Sequence, residues 1–380
     1  MFSELGVVDV IRILQVIGVM NRGGAETMLM NIYRNIDRSR IQFDFVVHTE
    51  EKGAFDDEIK SLGGNIFHCP KYNGKNHFEY IKWWNDFFEK NSENFTAVHG
   101  HIGSTASMYL SSAKKYSLFT IAHSHNTDGR LTLKNRLYKL ISYSTRNIAD
   151  YFFACSYAAG KDRYGVRIAE NSDVFTVLKN AVDTERFLFN ADYRTQIRQE
   201  FNISDDKIVV GHIGRFNLQK NHSFLVDIAY ETIKINRNVV FMLVGGGDLE
   251  NDIKNKVTSL GISDNVLFTG IREDTNKLYQ AFDLFLFPSF FEGLPVTLVE
   301  AQTSGLTCLV SDTITKEVSL TDLIHFMSIE KSASDWADAL LGLISSGRKN
   351  TKQQIVSSGY DINTTSKWLE NFYTNIKDGR

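Results

Sequence analysis

The chain has 380 residues, of which 43% are hydrophobic, and a formal net charge of −3. This length suits two domains better than one, and the apolar content is enough for two cores. With three prolines and no low-complexity tract, the composition excludes a fibrous or disordered protein. No part of the chain has the concentrated Lys/Arg footprint of a nucleic-acid-binding protein, so no nucleic-acid partner is expected.

The cysteines and the N-terminus predict a cytoplasmic protein. Cys69, Cys155 and Cys308 are odd in number, far apart and placed in or beside apolar runs. This pattern is typical of reduced core thiols and not of a disulfide framework. Residues 1–18 lack a basic leader and a cleavage site, and no apolar run approaches the roughly 18 residues that cross a bilayer.

From Ile11 onward, short β-rich runs alternate with helical patterns. The first series has its β-rich runs at 13–18, 43–48, 65–69, 96–100, 117–123, 151–155 and 174–178. Such alternation predicts parallel strands joined by right-handed helical crossovers. We therefore predict a first domain over residues 1–182.

The alternation lapses over residues 183–204, which are charged and aromatic and are interpreted as an interdomain linker. A second domain is predicted over 205–362, with strands at 207–214, 239–247, 265–270, 283–289 and 306–312. Residues 363–380 contain an amphipathic helix that can return to the first domain. The predicted fold class is α/β, with two doubly wound, Rossmann-like parallel sheets.

Three loops have residues that suit a phosphate. Gly23 and Gly24 precede a helix, where backbone N–H groups and the helix dipole favour an anion. Arg215 offers a forked donor and Lys220 a mobile point charge after the first strand of the second domain. Gly246 is the centre of a third glycine turn, where a nucleotide could lie. Each loop is equally consistent with an ordinary turn or a surface cation.

Two carboxylates, Glu292 and Glu300, bracket the loop that follows the strand predicted at 283–289. Pro295 suits the first position of a helix, which places Glu300 on that helix. Open α/β sheets bind ligands outside the carboxyl ends of their strands, so both glutamates can reach a ligand crevice. Spacing alone is equally consistent with two solvated surface charges.

Histidines cluster at two predicted strand ends: His99 and His101 at one, and His123 and His125 at the other, followed by Asn126. In extended chain a His-x-His pair points both rings to one side, but no carboxylate partner accompanies either pair. Polar contacts to a ligand are therefore favoured over a metal site, with structural histidines as the alternative. No Asp-x-Asp occurs in the chain, and no metal or other cofactor is expected.

Taken together, the motifs at 23–26, 214–222, 244–250 and 288–301 resemble the group-1 (family-4) retaining glycosyltransferases of capsule and exopolysaccharide synthesis. The resemblance spans nearly the whole chain and is most specific in the Glu-x7-Glu pair. It implies the GT-B fold, with two Rossmann-like domains facing across a cleft. It also implies a nucleotide-diphosphate sugar donor, expected to be a UDP-sugar, and a saccharide or lipid-linked saccharide acceptor.

The resemblance implies a role for each donor-side residue. Arg215, Lys220 and the amides of Gly23 and Gly24 would stabilise the charge that develops on the leaving pyrophosphate without a metal. Glu300 would accept hydrogen bonds from the ribose hydroxyls.

For the sugar itself, the resemblance implies that Glu292 holds a hydroxyl near the transferring carbon. Amides at Gly293 and Leu294 would orient the same sugar. His125 is the residue that would contact the sugar, with His123 as the alternative.

The remaining implied contacts concern the base and the acceptor. Arg272 would pack beside the base of the nucleotide. The acceptor-side residues would be His99, His101, His123 and Asn126.

The segment 130–146 contains five basic residues and no acidic one, with leucines interleaved. A basic amphipathic helix can lie on an anionic membrane surface, which would suit a lipid-linked acceptor at the inner face of the membrane. The alternative is an ordinary surface helix whose apolar side covers the sheet.

Two other functions are compatible with this fold: a nucleotide-sugar epimerase, which needs no acceptor, and a non-catalytic sugar-nucleotide-binding subunit. The presence of Arg215, Lys220, Glu292 and Glu300 together argues against the second. A dehydrogenase is disfavoured because no Gly-x-Gly-x-x-Gly follows any strand.

Overall fold

The computed structural model describes residues 10–125, 142–344 and 347–379. The chain divides into two compact units, each with its own sheet. The first unit comprises Met1–Ala181 and Ile362–Arg380, and the second comprises Val182–Asp361. Among the described residues, no helix is both long enough and apolar enough to cross a bilayer.

The first unit is built on a parallel sheet of seven strands. They are β1 Ile11–Ile17, β2 Ile41–Val47, β3 Ile66–His68, β4 Ala97–Gly100, β5 Phe119–Ser124, β6 Tyr151–Ala154 and β7 Phe175–Val177. Their order across the sheet is β3-β2-β1-β4-β5-β6-β7. Each of these strands was predicted from the sequence to within a few residues.

The second unit has a parallel sheet of six strands. They are β8 Ile208–Ile213, β9 Val239–Val244, β10 Val266–Gly270, β11 Leu284–Phe287, β12 Cys308–Ser311 and β13 Ile324–Met327. Their order is β10-β9-β8-β11-β12-β13. The predicted Rossmann-like α/β class is confirmed for both sheets. Strand β13 was not predicted, because its four residues include a histidine and show neither an apolar run nor a clear alternation.

Helices connect the strands. In the first unit they are α1 Gly24–Asn35, α2 Asp56–Ser61, α3 His77–Asn91, α4 Ala106–Lys114, α5 Tyr157–Tyr164, α6 Val166–Ala169 and, at the end of the chain, α14 Ile362–Lys377. In the second unit they are α7 Ala191–Glu200, α8 His222–Ile235, α9 Glu250–Ser259, α10 Thr275–Ala281, α11 Val296–Thr303, α12 Ala333–Leu343 and α13 Lys352–Ser357.

The strand order reverses beside the first strand of each sheet. In the first unit β1 pairs with β2 on one side and β4 on the other. In the second unit β8 pairs with β9 and β11 in the same way. Ligands of open α/β sheets bind outside the carboxyl ends of the strands at this reversal. The loops after β8 and β11, and those after β1 and β4, are therefore the places to look for a site.

Residues 183–204, predicted to be a linker, instead lie inside the second unit and contain α7. Arg194 and Arg198 on this helix each place a guanidinium nitrogen 2.7 Å from Asp283, which precedes β11. Asp283 also accepts the backbone N–H of Val209 at 2.7 Å. Arg194 and Arg198 are part of the charged pattern that predicted a linker, and their ion pairs hold α7 to the sheet.

The C-terminal helix α14 packs in the first unit, against α1 and β1. Leu369 and Tyr373 are buried in the core that includes the aliphatic side chains of β1 and β2. Buried Glu370 accepts the backbone N–H of Asp37 at 2.8 Å. The apolar face recognised in the sequence therefore completes one side of the first sheet.

Replacing Leu369 by alanine should destabilise the first unit by about 2–5 kcal/mol, because the leucine is 1% exposed and its removal leaves a cavity. The measurement is urea unfolding followed by circular dichroism. Exposed Asn371 on the same helix is the control, and its replacement by alanine should change the stability by less than about 0.5 kcal/mol. Equal unfolding midpoints for the two variants would contradict a core role for α14.

Candidate functional site

An ion pair joins the loops that follow β8 and β11 in the second unit. Lys220 Nζ lies 2.7 Å from Glu292 Oε1, and the two side chains are only 14% and 9% exposed. The ammonium group also lies 4.5 Å from the centre of the Phe287 ring. Because both charges are largely removed from water, losing one partner would leave the other uncompensated. The two residues, recognised separately in the sequence, therefore form one electrostatic unit.

Gln219 links the same two loops and was not recognised from the sequence. Its backbone carbonyl oxygen accepts the backbone N–H of Phe290 at 2.9 Å. Its Nε2 donates to the Phe291 carbonyl and to Glu292 Oε2, both at 3.0 Å. Gln219 thus fixes the Glu292 carboxylate from the side opposite Lys220. Only its place next to Lys220 in the chain could have drawn attention to it.

Two asparagines shape the loop that presents Lys220. Asn217 accepts the backbone N–H of Lys220 at 3.1 Å and begins a single 3-10 turn. Asn221 has φ +56°, in the left-handed region that asparagine tolerates better than most residues, and its amide donates to the Pro288 carbonyl at 3.2 Å. These bonds hold the lysine backbone in place against the end of β11.

The glycine turn around Gly246 supports the loop that carries Arg215. The backbone N–H of Phe216 donates to the Gly246 carbonyl at 3.0 Å. Gly245 has φ +134°, and a Cβ atom there would overlap the Gly214 carbonyl oxygen. Gly245 is therefore required by close backbone packing, whatever ligand the loop binds.

Arg215 and Arg272 differ in how firmly they are held. The Arg215 side chain is 69% exposed, and its nearest carboxylate, that of Asp248, is 3.9 Å away. Arg272 instead makes two 2.8 Å bonds to Asp274 and a 2.5 Å bond to Glu200 on α7, which raise the pKa of its guanidinium. Arg272 therefore ties the loop after β10 to α7, and its contact with a base stays a prediction.

Glu300 lies on α11, as its position in the sequence predicts, and is bound by Tyr279. The Tyr279 hydroxyl donates to Glu300 Oε2 at 2.9 Å. Burial raises the pKa of Glu300 to about 7, while the Tyr279 bond and the charge of Arg186 oppose this rise. Gly293 and Leu294 form the turn between β11 and α11, with Gly293 exposed. Glu300 can thus change its charge near neutral pH.

In the first unit, Gly23 and Gly24 lie at the N-terminus of α1, where Gly23 offers no side-chain cap. The Glu26 carboxylate folds back over this turn, so that a Cβ atom on residue 23 would overlap it. Burial raises the pKa of Glu26. An anion at this helix end would therefore have to displace Glu26 or find it protonated, a condition that the glycine motif alone did not indicate.

The four histidines at the ends of β4 and β5 form a stack. Ring centroids are 4.4 Å apart for His99 and His101 and 4.1 Å apart for His123 and His125. His99 Nε2 lies 3.2 Å from His123 Nδ1, and His101 Nδ1 lies 2.8 Å from His125 Nε2. Burial lowers the pKa of His99 to about 3 and that of His125 to about 4, and it lowers the pKa of the other two rings as well. All four are therefore neutral at physiological pH.

Three rings of this stack are close enough together to raise the question of a metal site. His99, His101 and His123 bring one nitrogen each within 4.8 Å of one another. Ring planes are inclined by only 28° between His99 and His101 and by 17° between His99 and His123. A ring nitrogen presents its lone pair in the plane of the ring, so stacked rings direct their lone pairs side by side and not toward one point. The arrangement suits hydrogen bonding within the stack better than coordination of an ion.

Two predicted features fall outside the described residues. Asn126 is one, and so is most of the basic segment 130–146. Residues Tyr143–Asn147, which overlap the end of that segment, form a 3-10 turn.

Both halves of the chain match family models. Residues 193–361 match the model for glycosyl transferases group 1. Residues 22–186 match the model for glycosyltransferase family 4.

Several curated proteins are similar to the chain. A putative glycosyltransferase, EpsF of Bacillus subtilis (strain 168), is 33% identical over 371 residues, which cover 95% of this chain and 96% of EpsF. The capsular polysaccharide biosynthesis glycosyltransferase CapH of Staphylococcus aureus is 25% identical, covering 96% and 98%. A UDP-Gal:alpha-D-GlcNAc-diphosphoundecaprenol alpha-1,3-galactosyltransferase of Escherichia coli is 30% identical, covering 49% and 50%.

Among solved structures, Anabaena Alr3699/HepE in complex with UDP superimposes with a TM-score of 0.77 and 17% identity, covering 96% of this chain and all of HepE. The same protein with UDP-glucose gives a TM-score of 0.74. At this identity the likeness concerns the fold.

Replacing Gly245 by alanine should destabilise the second unit by about 1–3 kcal/mol, since the new Cβ meets a backbone carbonyl and the positive φ is strained. The matched control is Gly246→Ala, where the Cβ would meet only side chains, that of Ile271 at 3.2 Å and that of Glu250 at 3.5 Å. Differential scanning calorimetry of both variants is the measurement. A lower melting temperature for the control than for Gly245→Ala would contradict the packing argument.

Proposed function

The chain belongs to the group 1 glycosyltransferases, and on this premise we propose that it moves a sugar from a UDP-sugar, with retention of configuration and without a metal. The proposed acceptor is a saccharide or a lipid-linked saccharide used in surface polysaccharide or glycolipid synthesis. The main support is the Lys220–Glu292 ion pair, which places a cation and a carboxylate together where the strand order of the second sheet reverses.

The cations act on the diphosphate. Without donor, Lys220 is neutralised by one carboxylate, whereas a bound diphosphate offers it more negative charge in the same low-dielectric place. The exposed guanidinium of Arg215 adds a forked donor. As the bond between the sugar and the phosphate breaks, negative charge grows on the leaving phosphate, so these cations bind the transition state more strongly than the ground state.

If donor binding draws Lys220 away, the Glu292 carboxylate becomes free to accept a hydrogen bond from a hydroxyl of the sugar. Gln219 keeps the carboxylate in position while the lysine moves. The acceptor oxygen then forms a bond to the anomeric carbon on the face that the diphosphate leaves, and the acceptor proton passes to the departing phosphate oxygen. Retention follows from this same-face exchange, and no side chain has to act as a general base.

Glu300 binds the ribose, with both hydroxyls as donors to its carboxylate. In the first unit, His125 contacts a hydroxyl of the sugar, and the Gly23 and Gly24 amides contact the diphosphate after displacing Glu26. Similar proteins support this substrate class: HepE was crystallised with UDP and with UDP-glucose, and the E. coli relative is named for UDP-Gal and a diphosphoundecaprenol acceptor. EpsF and CapH support a place in polysaccharide synthesis.

Transfer is tested by incubating the protein with a panel of UDP-sugars and undecaprenyl-diphosphate-linked sugars and determining the product anomer by NMR. We expect a retained linkage and turnover that survives EDTA. Glu292→Gln and Lys220→Ala should each lower kcat/KM by about 100-fold or more, since each removes a group that stabilises the transition state.

An inverted linkage, or loss of turnover in EDTA, would refute the corresponding part of the proposal. Donor incubated alone is the control for an epimerase. Conversion of the donor to a C2 epimer without acceptor would indicate an epimerase and not a transferase. Absence of any turnover would favour a non-catalytic binding subunit.

The pH dependence of donor use should report Glu300. Its carboxylate must be ionised to accept the ribose hydroxyls, and its pKa is about 7. We therefore expect kcat/KM for the donor to rise about tenfold per pH unit below pH 7 and to level off above it. This rise of kcat/KM with pH should be absent in Glu300→Gln. The histidines of the stack do not titrate in this range, so a rise that persists in the variant would contradict the assignment.

A further inference from the structure

Gln15 lies in the middle of β1 and is fully buried in the first sheet. Its Oε1 lies 2.9 Å from His101 Nε2. Its Nε2 has no hydrogen-bond partner among the described residues. A buried amide in an apolar strand is costly unless it is bonded, so the contact with His101 accounts for its orientation.

The first chain of bonds runs from Gln15 to His125. An amide oxygen can only accept, so His101 must carry its hydrogen on Nε2. Because His101 is neutral, its Nδ1 is bare and accepts the Nε2–H of His125 at 2.8 Å. The neutral His125 ring therefore has a bare Nδ1, and this buried atom has no partner among the described residues.

A second chain runs from Tyr373 to His123 and does not include Gln15. The Tyr373 hydroxyl lies 2.8 Å from His99 Nδ1, and His99 Nε2 lies 3.2 Å from His123 Nδ1. His123 Nε2 has no partner among the described residues and lines a cavity of about 10 Å³ beside Thr145 Oγ1, which is also unpartnered there. This is about the room that one water needs.

We propose that Gln15 is a positioning residue that sets the direction of the first chain, so that this chain ends in an acceptor at His125 Nδ1. The group that binds His125 is then a hydrogen-bond donor, such as a hydroxyl, and not a phosphate oxygen. That this hydroxyl belongs to a sugar rests on the proposed function. Turning the amide by 180° would reverse the first chain, so one side chain selects between two hydrogen-bond patterns.

The two patterns predict opposite tautomers for His101 and His125. With the amide as described, both carry hydrogen on Nε2. With the amide turned, both carry it on Nδ1. Nitrogen NMR of the protein labelled with ¹⁵N-histidine distinguishes the two, with signals assigned by single histidine substitutions. We expect Nε2–H at His101 and His125, and Nδ1–H at both would overturn the proposal.

Two variants separate the chains. Gln15→Met removes the acceptor of His101 and should leave His101 and His125 as tautomer mixtures, with kcat/KM reduced about tenfold through the loss of one hydrogen bond. Tyr373→Phe should disturb His99 and His123 and leave the His125 tautomer unchanged. An unchanged His125 in Gln15→Met, or equal disturbance in both variants, would refute the role of Gln15. Should Gln15→Met fail to fold, the unsubstituted protein and Tyr373→Phe still decide the question.

The class of ligand is tested by titrating the labelled protein with UDP-glucose and, separately, with inorganic pyrophosphate. We expect UDP-glucose to shift the His125 Nδ1 signal toward that of a hydrogen-bonded nitrogen and pyrophosphate to leave it unchanged. A shift with pyrophosphate alone would overturn the assignment. Tautomers are measured without substrate, so Nε2–H at His101 and His125 in a protein that transfers no sugar would refute only the proposed function. Reversed tautomers in an active protein would refute only the present inference.

Discussion

The ion pair between Lys220 and Glu292 is the interaction on which the second unit's functional surface depends. It joins two loops that are far apart in the chain but adjacent because β8 and β11 pair at the reversal of strand order. A largely buried charge pair is stable only while both partners are present, and an incoming anion competes for one of them. The same contact can thus hold the two loops together and respond to a charged ligand.

The first unit stabilises its buried polar side chains in a different way. Its histidine stack is neutral because burial disfavours the imidazolium form, and its order comes from the direction of hydrogen bonds. Gln15 and Tyr373 reach this stack from β1 and α14, elements at opposite ends of the chain. The second unit therefore satisfies its buried polar groups by charge pairing, and the first satisfies its histidines by hydrogen bonds between neutral rings.

Several residues have a different function in the structure from the one that their sequence context suggested. Arg272 is bound by Asp274 and Glu200, and α7 occupies the supposed linker, because charged residues distant in sequence meet as ion pairs. The glycines around Gly246 permit backbone packing, as well as any approach of a ligand. Local composition shows that a residue is charged or small, but the partner that satisfies it comes from another part of the chain.

The amino-acid sequence by itself determined the alternation of strands and helices, and therefore the parallel α/β class, because hydrophobic periodicity is a local property. It also identified Lys220, Glu292, Glu300 and the histidines as residues at strand ends. Only the tertiary structure decided that Lys220 pairs with Glu292, that Gln219 holds the carboxylate, and that Gln15 contacts His101 of the histidine stack. The reason is physical: pairing, burial and hydrogen-bond direction depend on distances between atoms that the chain brings together only when it folds.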